Sequence, residues 1–472
     1  MLYHINRKLQ KEVKAMKKKD LPLNLTEKNN TKVSFIASVV TLLLLCFLIH
    51  TVNNSFFNAE KAAKAEEALK LQQEQKEKEL AASTKTATFL AAGDNFFDEN
   101  LLNAGKSDSD NWDYREIYNQ VSGKISAADL AIVAQPTVLT TEHDIVSGTD
   151  SYATPTEVGD ALVQAGFDVI ASAGDHSDDY GADYLNQALD FWSSTYPDIT
   201  IAGLHKTKED ADTVQVRDVN GIQTAFLNYT FGSNYNALPD EERYMVDYFQ
   251  KQKVTSDIAK AKKTSDCIII YAQWGEEDSS VPNEYTKQWA NFLLSQGVKV
   301  VIGAHPHVLQ PYEILKDENG NEMLIYYSLG NFASASSNSQ ELLGGLAEFT
   351  LEKVGDNGPV TIASHTLTPI VMHYNSGEDV YQTMLLSDYT DELASAHSVQ
   401  QQTGDDALLP ANLQTLFTQL TSQTVDPSTA EDLLDLGKEG NNEQNNTNTD
   451  SESSSSDSSY DSGYDSDYDS GY

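Results

Sequence analysis

Cysteine is nearly absent: Cys46 and Cys267 are the only two in 472 residues. One lies in an apolar run and the other opens a β-rich run, so no disulfide framework is expected and both read as buried thiols. Basic residues are scarce, 32 Lys and Arg against 71 Asp and Glu, for a net charge of −39. Binding to nucleic acid through phosphates needs clustered Lys and Arg, so no nucleic-acid partner is expected. No LPxTG-like sorting motif occurs, so covalent wall attachment is not expected either. Residues 451–472 hold no aliphatic side chain and consist almost wholly of Ser, Asp, Gly and Tyr, with Tyr460, Tyr464, Tyr468 and Tyr472 every fourth residue. A segment of this composition cannot bury a core and is expected to be disordered.

The rest of the chain is not so depleted. Apolar residues make up 40% and charged residues 22%, which supports at least one large core. At about 150 residues per domain, the length allows two to three units. The charge is split. Nine basic and three acidic residues in 1–32 leave that segment at +6 and the remainder at −45. Residues 33–59 then contain no Lys, Arg, Asp or Glu. About 20 apolar residues span a bilayer as a helix. We therefore expect a transmembrane helix at 33–53, with the basic segment 1–32 in the cytoplasm and the remainder outside.

Residues 54–85 are rich in helix formers and carry Glu60/Lys64, Glu66/Lys70 and Glu74/Lys78 at i,i+4, which suits a solvated helical stalk. From 86 to 388 the pattern is α/β. The runs TATFLAA, DLAIVA, FDVIASA, TAFLNY, DCIIIYA, VKVVIG and MLIYYSL read as strands. Helices are expected between them at 156–165, 182–193, 242–263 and 283–296. The later runs GGLAEFTLEKV and PVTIASHTLTPIVM have no helix between them and read as antiparallel additions. Residues 389–436 form a helical extension, and 437–472 a tail.

Five apolar runs end in polar residues. TATFLAA ends in Gly93-Asp94-Asn95, FDVIASA in Gly174-Asp175-His176, and CIIIYA in Gln273-Trp274-Gly275-Glu276. VKVVIG leads through Ala304 to His305-Pro306-His307, and LIYYSL ends in Gly330-Asn331-Phe332. In α/β sheets ligands gather beyond the carboxyl ends of strands. Asp brings hard oxygen and His brings nitrogen, a donor set for a metal or phosphate centre.

The order of these motifs resembles the CapA-type bacterial capsule synthesis family, the PgsA-like component of poly-γ-glutamate production. The likeness rests on residues 273–315 (QWGEEDSSVPNEYTKQWANFLLSQGVKVVIGAHPHVLQPYEIL), on YSLGNF at 327–332 and on GFDVIASAGDHSDDYG at 166–181. It implies a metallophosphoesterase-like β-sandwich flanked by helices, after the calcineurin-like enzymes, with the site at the strand ends. It implies a divalent metal (Mn, Fe or Zn) held by Asp94, Asp175, His176, His305 and His307. His176 and His305 would be the catalytic residues, and Asn95, Gln273, Trp274, Glu276 and Asn331 would line the site.

The departures matter. The family's Asn-Leu/Phe-Glu is Ala134-Gln135-Pro136, its Asn-Asn-His is Gly174-Asp175-His176, its His-Trp-Gly is Gln273-Trp274-Gly275, and its Gly-His-His-Pro-His is Gly303-Ala304-His305-Pro306-His307. Fewer ligands leave one weak metal site or none. The expected function is a membrane-anchored, extracellular module for synthesis or export of a capsule polymer, binding rather than turning over. Its expected partners are the membrane, the polymer and polymer-synthesis membrane proteins. The alternatives are a residual metal-dependent hydrolase acting on a phosphoester or the polymer, and a non-enzymatic surface protein acting through stalk and tail.

Overall fold

The computed structural model describes residues 30–107, 111–233, 238–404, 406–428 and 434. The basic segment up to 29 and the tail from 437 lie outside the described residues. Two compact units divide at Ser83/Thr84. The first contains the helix Asn30–Ser83, long and apolar enough to cross a membrane. The stretches expected to be transmembrane helix and stalk are thus one uninterrupted helix, with ion pairs Lys64–Glu60 at 2.9 Å and Lys70–Glu66 at 3.4 Å. Cys46 lies on the protein surface within the apolar stretch of this helix, and Cys267 is buried as expected.

The second unit is built on β-strands. They are β1 (Thr84–Asn95), β2 (Leu130–Ala134), β3 (Val138–Thr140), β4 (Ser147–Thr149), β5 (Ser151–Pro155), β6 (Val169–Ala171), β7 (Thr200–Ala202), β8 (Gln215–Val219) and β9 (Ile222–Thr230). Then come β10 (Cys267–Gln273), β11 (Val300–Ala304), β12 (Tyr312–Lys316), β13 (Glu322–Tyr326), β14 (Asn331–Ala333), β15 (Leu343–Val354), β16 (Val360–Asn375) and β17 (Val380–Leu385). One sheet runs β17-β16-β15-β1-β2-β6-β7, with β14 beside β1. A second runs β12-β13-β11-β10-β9-β8, and β3-β5-β4 form a small third. In the first sheet β1, β2, β6 and β7 are parallel and β15, β16 and β17 are added antiparallel on the other side of β1, as the helix-free late runs suggested; in the second, β9, β10, β11 and β13 are parallel and β8 and β12 are antiparallel edges.

Alternation along β10 shows how the layers form. Ile269 and Tyr271 enter the core shared by both large sheets, while Ile268, Ile270 and Ala272 enter a second core with helices Lys251–Thr264 and Glu284–Ser295. Successive strand residues point to opposite faces, so a wholly apolar run is a strand covered on both. Helix ends carry local signals: the Asn283 side chain caps Glu284–Ser295 by accepting from the Thr286 N–H at 2.9 Å, and Gly166 at φ +108° ends Thr156–Ala165.

The expected helix 242–263 is shortened to Lys251–Thr264. Its first half is drawn into strand-like pairing: the Asp247 N–H donates to Gly203 O and the Phe249 N–H to Thr230 O. Helices Asp391–Ala396, Ser398–Thr403 and Pro410–Thr421 pack back on the unit, adding Val399, Leu413 and Leu420 to the main core.

Candidate functional site

The parallel strands β1, β6, β10 and β11 end at one edge. Asp94 closes β1 and is fully buried. Its neighbour Gly93 has no room for a side chain, because a Cβ would lie 1.8 Å from Gly330 O. Gly303 at the end of β11 is equally confined, since a Cβ there would lie 1.9 Å from Tyr327 O. These close approaches bring the YSLGNF turn against β1 and β11. Just beyond, His305 and His307 hold φ of +91° and +60°. Such backbone costs about 1–3 kcal/mol per residue and persists where surrounding contacts impose it. Here both strained residues are histidines facing carboxylates.

Asp94 accepts from the His305 N–H at 2.8 Å through Oδ2 and from Gln273 Nε2 through Oδ1. His307 Nδ1 lies 3.8 Å from Asp94 and bonds Asn331 Oδ1 at 2.8 Å, which fixes the ring. His305 Nδ1 lies 3.5 Å from Asp175 Oδ2 without a hydrogen-bond partner, although the residue is 3% exposed. His176 Nδ1 bonds Asp179 Oδ2 at 2.8 Å, and its Nε2 lies 3.9 Å from Asp175. Asp179 also accepts from the Tyr152 N–H at 2.8 Å. Burial pushes the Asp94 carboxyl up. Burial would raise Asp175 too, but His305, His176 and His307 outweigh it and hold the carboxyl down. Burial lowers His305. His176 and His307 rise despite burial, because Asp179 and Asp175 face the first and Asp94 faces the second.

Asp94, Asp175, His176, His305 and His307 are therefore neighbours, together with Gln273 and Asn331. Three expectations need correction. Trp274 turns away into the sheet–helix core, where its Nε1–H donates to Tyr327 O at 3.0 Å. Glu276 is exposed, and the acidic group near the histidines is the next residue, Glu277. Asn95 is occupied structurally, donating to Gln135 Oε1 at 2.8 Å and accepting from Tyr118 OH at 2.7 Å. Asp179 was missed, although its position three residues after His176 is a signal for a partner that orients the ring. The departures at 136 and 174 fit each other: a Cβ on Gly174 would meet Pro136 Cα at 2.5 Å, so a larger residue there requires the Pro136 segment to move.

Ligand atoms of Glu277, His305 and His307 lie within 4.8 Å of one another, a group that could hold a metal ion. The unpartnered His305 Nδ1 and Gln273 Oε1, both deeply buried, suit one further electrophile such as a cation. The residues fit one ion. A second would compete with the Gln273 and His305 N–H groups that already occupy both Asp94 oxygens.

Residues 88–336 match the family model of the bacterial capsule synthesis protein PGA_cap, just over half of the chain. The chain belongs to this family. Among PGA_cap relatives, it is 28% identical over 213 residues to the PGA biosynthesis protein CapA of Bacillus subtilis, covering 44% of this chain and 54% of that one. It is 28% identical over 176 residues to the capsule biosynthesis protein CapA of Bacillus anthracis, covering 36% and 41%. The chain thus spans about half the length of the curated relatives it matches. Solved structures similar to it include a calcineurin-like phosphoesterase of Bacillus subtilis (TM-score 0.38, 14% identity, 71% of this chain and 99% of that one). A phosphatase from Mycoplasma pneumoniae is similar at TM-score 0.39 and 14% identity, covering 61% and 94%.

Proposed function

We propose that this PGA_cap protein is a membrane-anchored, extracellular module for assembly or export of a capsule polymer of the poly-γ-glutamate type, and that its globular unit binds rather than turns over. The observation that carries this reading is the direct Gln273–Asp94 hydrogen bond. Where the resembled family has a His, this chain has an amide that ties up the carboxylate of β1. Ala304 removes a second imidazole, and Gln135 is spent on Asn95 and Thr137. Both Asp94 oxygens and the Gln135 amide are already bonded, which favours a rigid recognition surface over a two-metal centre.

His305, His307 and Glu277 would hold a divalent ion such as Mn, Fe or Zn. When bound, it would supply Lewis acidity and positive charge. Around it, Asn331 holds His307 in one orientation, and Asp179 holds His176 with Nε2 toward Asp175. That His176–Asp179 pair favours a second reading, a residual metal-dependent hydrolase, because it is an imidazole positioned to move a proton.

The test is complementation in a strain lacking the gene. Capsule restored by His305→Ala/His307→Ala as well as by the parent chain supports a binding module. Capsule restored only by the parent shows that the two histidines are needed, and the full-length chain in detergent is then assayed for metal content and phosphoester cleavage, which the hydrolase reading requires and the binding reading excludes.

A further inference from the structure

The C-terminal helices grip β16 through a buried histidine. His397 caps helix Ser398–Thr403 by accepting from the Val399 N–H, and its Nε2–H donates to Met372 O on β16. The ring packs edge-on against Tyr374 at 4.5 Å, and Ser398 Oγ accepts from the Ser376 N–H at 3.0 Å, just past β16. A second histidine stands beside the first. The His373 ring lies 5.4 Å from His397 and 5.8 Å from Tyr389, between centroids. Among the described residues, His373 Nδ1 and the Tyr389 hydroxyl have no hydrogen-bond partner, so both lose water on docking and gain no bond in return.

The titratable groups around the pair are Tyr374 of β16 and Tyr389 of the turn after β17, with Tyr381 of β17 and Asp98 beyond Tyr374. Asp391 and Glu392, on the helix before His397, are exposed. No carboxylate offsets a charge on either ring: what acts on His397 is burial, the Met372 carbonyl and His373, and on His373 burial alone.

From β16 and β17 the contacts run on to the histidine site. The Met372 N–H donates to Leu342 O at 2.9 Å, the Tyr374 hydroxyl to Ser336 O at 3.0 Å, and the Thr383 hydroxyl to Phe332 O at 2.8 Å. The two strands thus hold residues 332–342 along their length. That segment in turn closes on the site. Asn331 Nδ2 donates to Glu341 O at 3.2 Å while its Oδ1 fixes His307 Nδ1. Asn338 Nδ2 donates to Asp278 Oδ1 at 2.9 Å, next to Glu277.

We propose that residues 391–403 form a proton-released strap, which when docked holds 331–342 and keeps His307 oriented, and which undocks on acidification and lets that segment loosen. The inference goes beyond the assembly reading and does not rest on it. Protonation at Nδ1 turns the acceptor of the Val399 N–H into a donor, which deletes the cap. It also places positive charge on two buried rings that face each other. Undocked, the rings titrate near their ordinary 6.5, whereas burial holds both lower when docked, His397 at about 4. Protons therefore favour the undocked form as pH falls through 6.5, and for His397 the bias stops growing near 4.

The test is hydrogen–deuterium exchange with a mass-spectrometric readout on the full-length chain in detergent, corrected for the intrinsic pH dependence of exchange. Between about pH 7.5 and about pH 5, we expect amides in 391–403 and 331–342 to lose protection together by roughly 30-fold from His397 alone. His373 adds to the loss, and β10 and β11 stay protected. The double variant His373→Leu/His397→Gln should abolish most of it, with circular dichroism at neutral pH confirming the fold. If that variant does not fold, the pH series on the parent chain still decides.

Opening of 391–403 with 331–342 still protected would break the link to the site and overturn the proposal. Loss of protection in β10 and β11 at the same pH would show acid unfolding of the whole unit, and overturns it too. So does unchanged protection in 391–403, or an undiminished loss in the folded double variant.

Discussion

At the scale of single residues, the site is defined by substitutions that lock rather than open it. Gln273 is the clearest. Replacing it with an imidazole would take the amide donor off Asp94 and offer a nitrogen ligand in its place. We expect Gln273→His to bind more metal per chain than the parent, measured by elemental mass spectrometry on the full-length protein, and an unchanged metal content would count against this account. Gly93 tests the scaffold rather than the ligand set. A methyl group there would overlap Gly330 O, and the contact is backbone on both sides, so no side chain can swing away. Gly93→Ala should destabilise the globular unit by about 3 kcal/mol, the upper end for overpacking, measured by denaturant unfolding.

Among the elements, the helices after β17 carry a pH-sensitive joint. His397 is fully buried between β16 and helix Ser398–Thr403. Its Nε2 faces Met372 O at 3.1 Å, and its Nδ1 accepts from the Val399 N–H at 3.1 Å. That pattern requires the neutral ring with the proton on Nε2. Burial, with His373 adding to it and the Met372 carbonyl opposing, pulls the ring down to about 4, from an ordinary value of 6.5.

The unfolded chain therefore takes up a proton before the folded one does. The contribution is complete above pH 6.5 and is lost as pH falls from 6.5 toward 4, by at most about 3 kcal/mol. We expect His397→Gln, whose amide can both donate and accept, to flatten the stability profile across that window. An unchanged slope in unfolding experiments between pH 6.5 and 4 would refute the assignment. The same scale shows why the expected helix at 242–263 fell short. Its periodicity is compatible with a helix, but Asp247 and Phe249 find backbone partners on neighbouring strands, and local propensity is a weak preference against such pairing.

For the whole molecule, the N-terminal helix and the charge split along the chain carry the prediction of topology. If the globular unit lies outside, protease added to intact cells should remove it and leave a membrane-bound fragment containing the long helix, seen by immunoblot with a tag at each end. Protection of the globular unit in intact cells would reverse the orientation. The overall acidity adds that association with any cationic partner should weaken as salt rises toward and beyond physiological strength, where the Debye length is about 8 Å.

What the sequence by itself determined is what short-range physics writes. The uncharged run at 33–59, the strand runs with polar residues at their carboxyl ends, and helices such as Thr156–Ala165 follow from hydrophobic periodicity and end signals within a few residues. The order of motifs was enough to indicate the capsule synthesis family. Tertiary structure decided what depends on distant segments meeting. Only the packing of β1 against β10 turns Gln273 onto Asp94. The sharp turn after Trp274 presents Glu277 rather than Glu276 to the histidines. Gly174 and Pro136, 38 positions apart, accommodate each other because β2 and β6 are neighbours. Side-chain partners across a sheet are fixed by register and strand order, and neither is contained in the local pattern of any one strand.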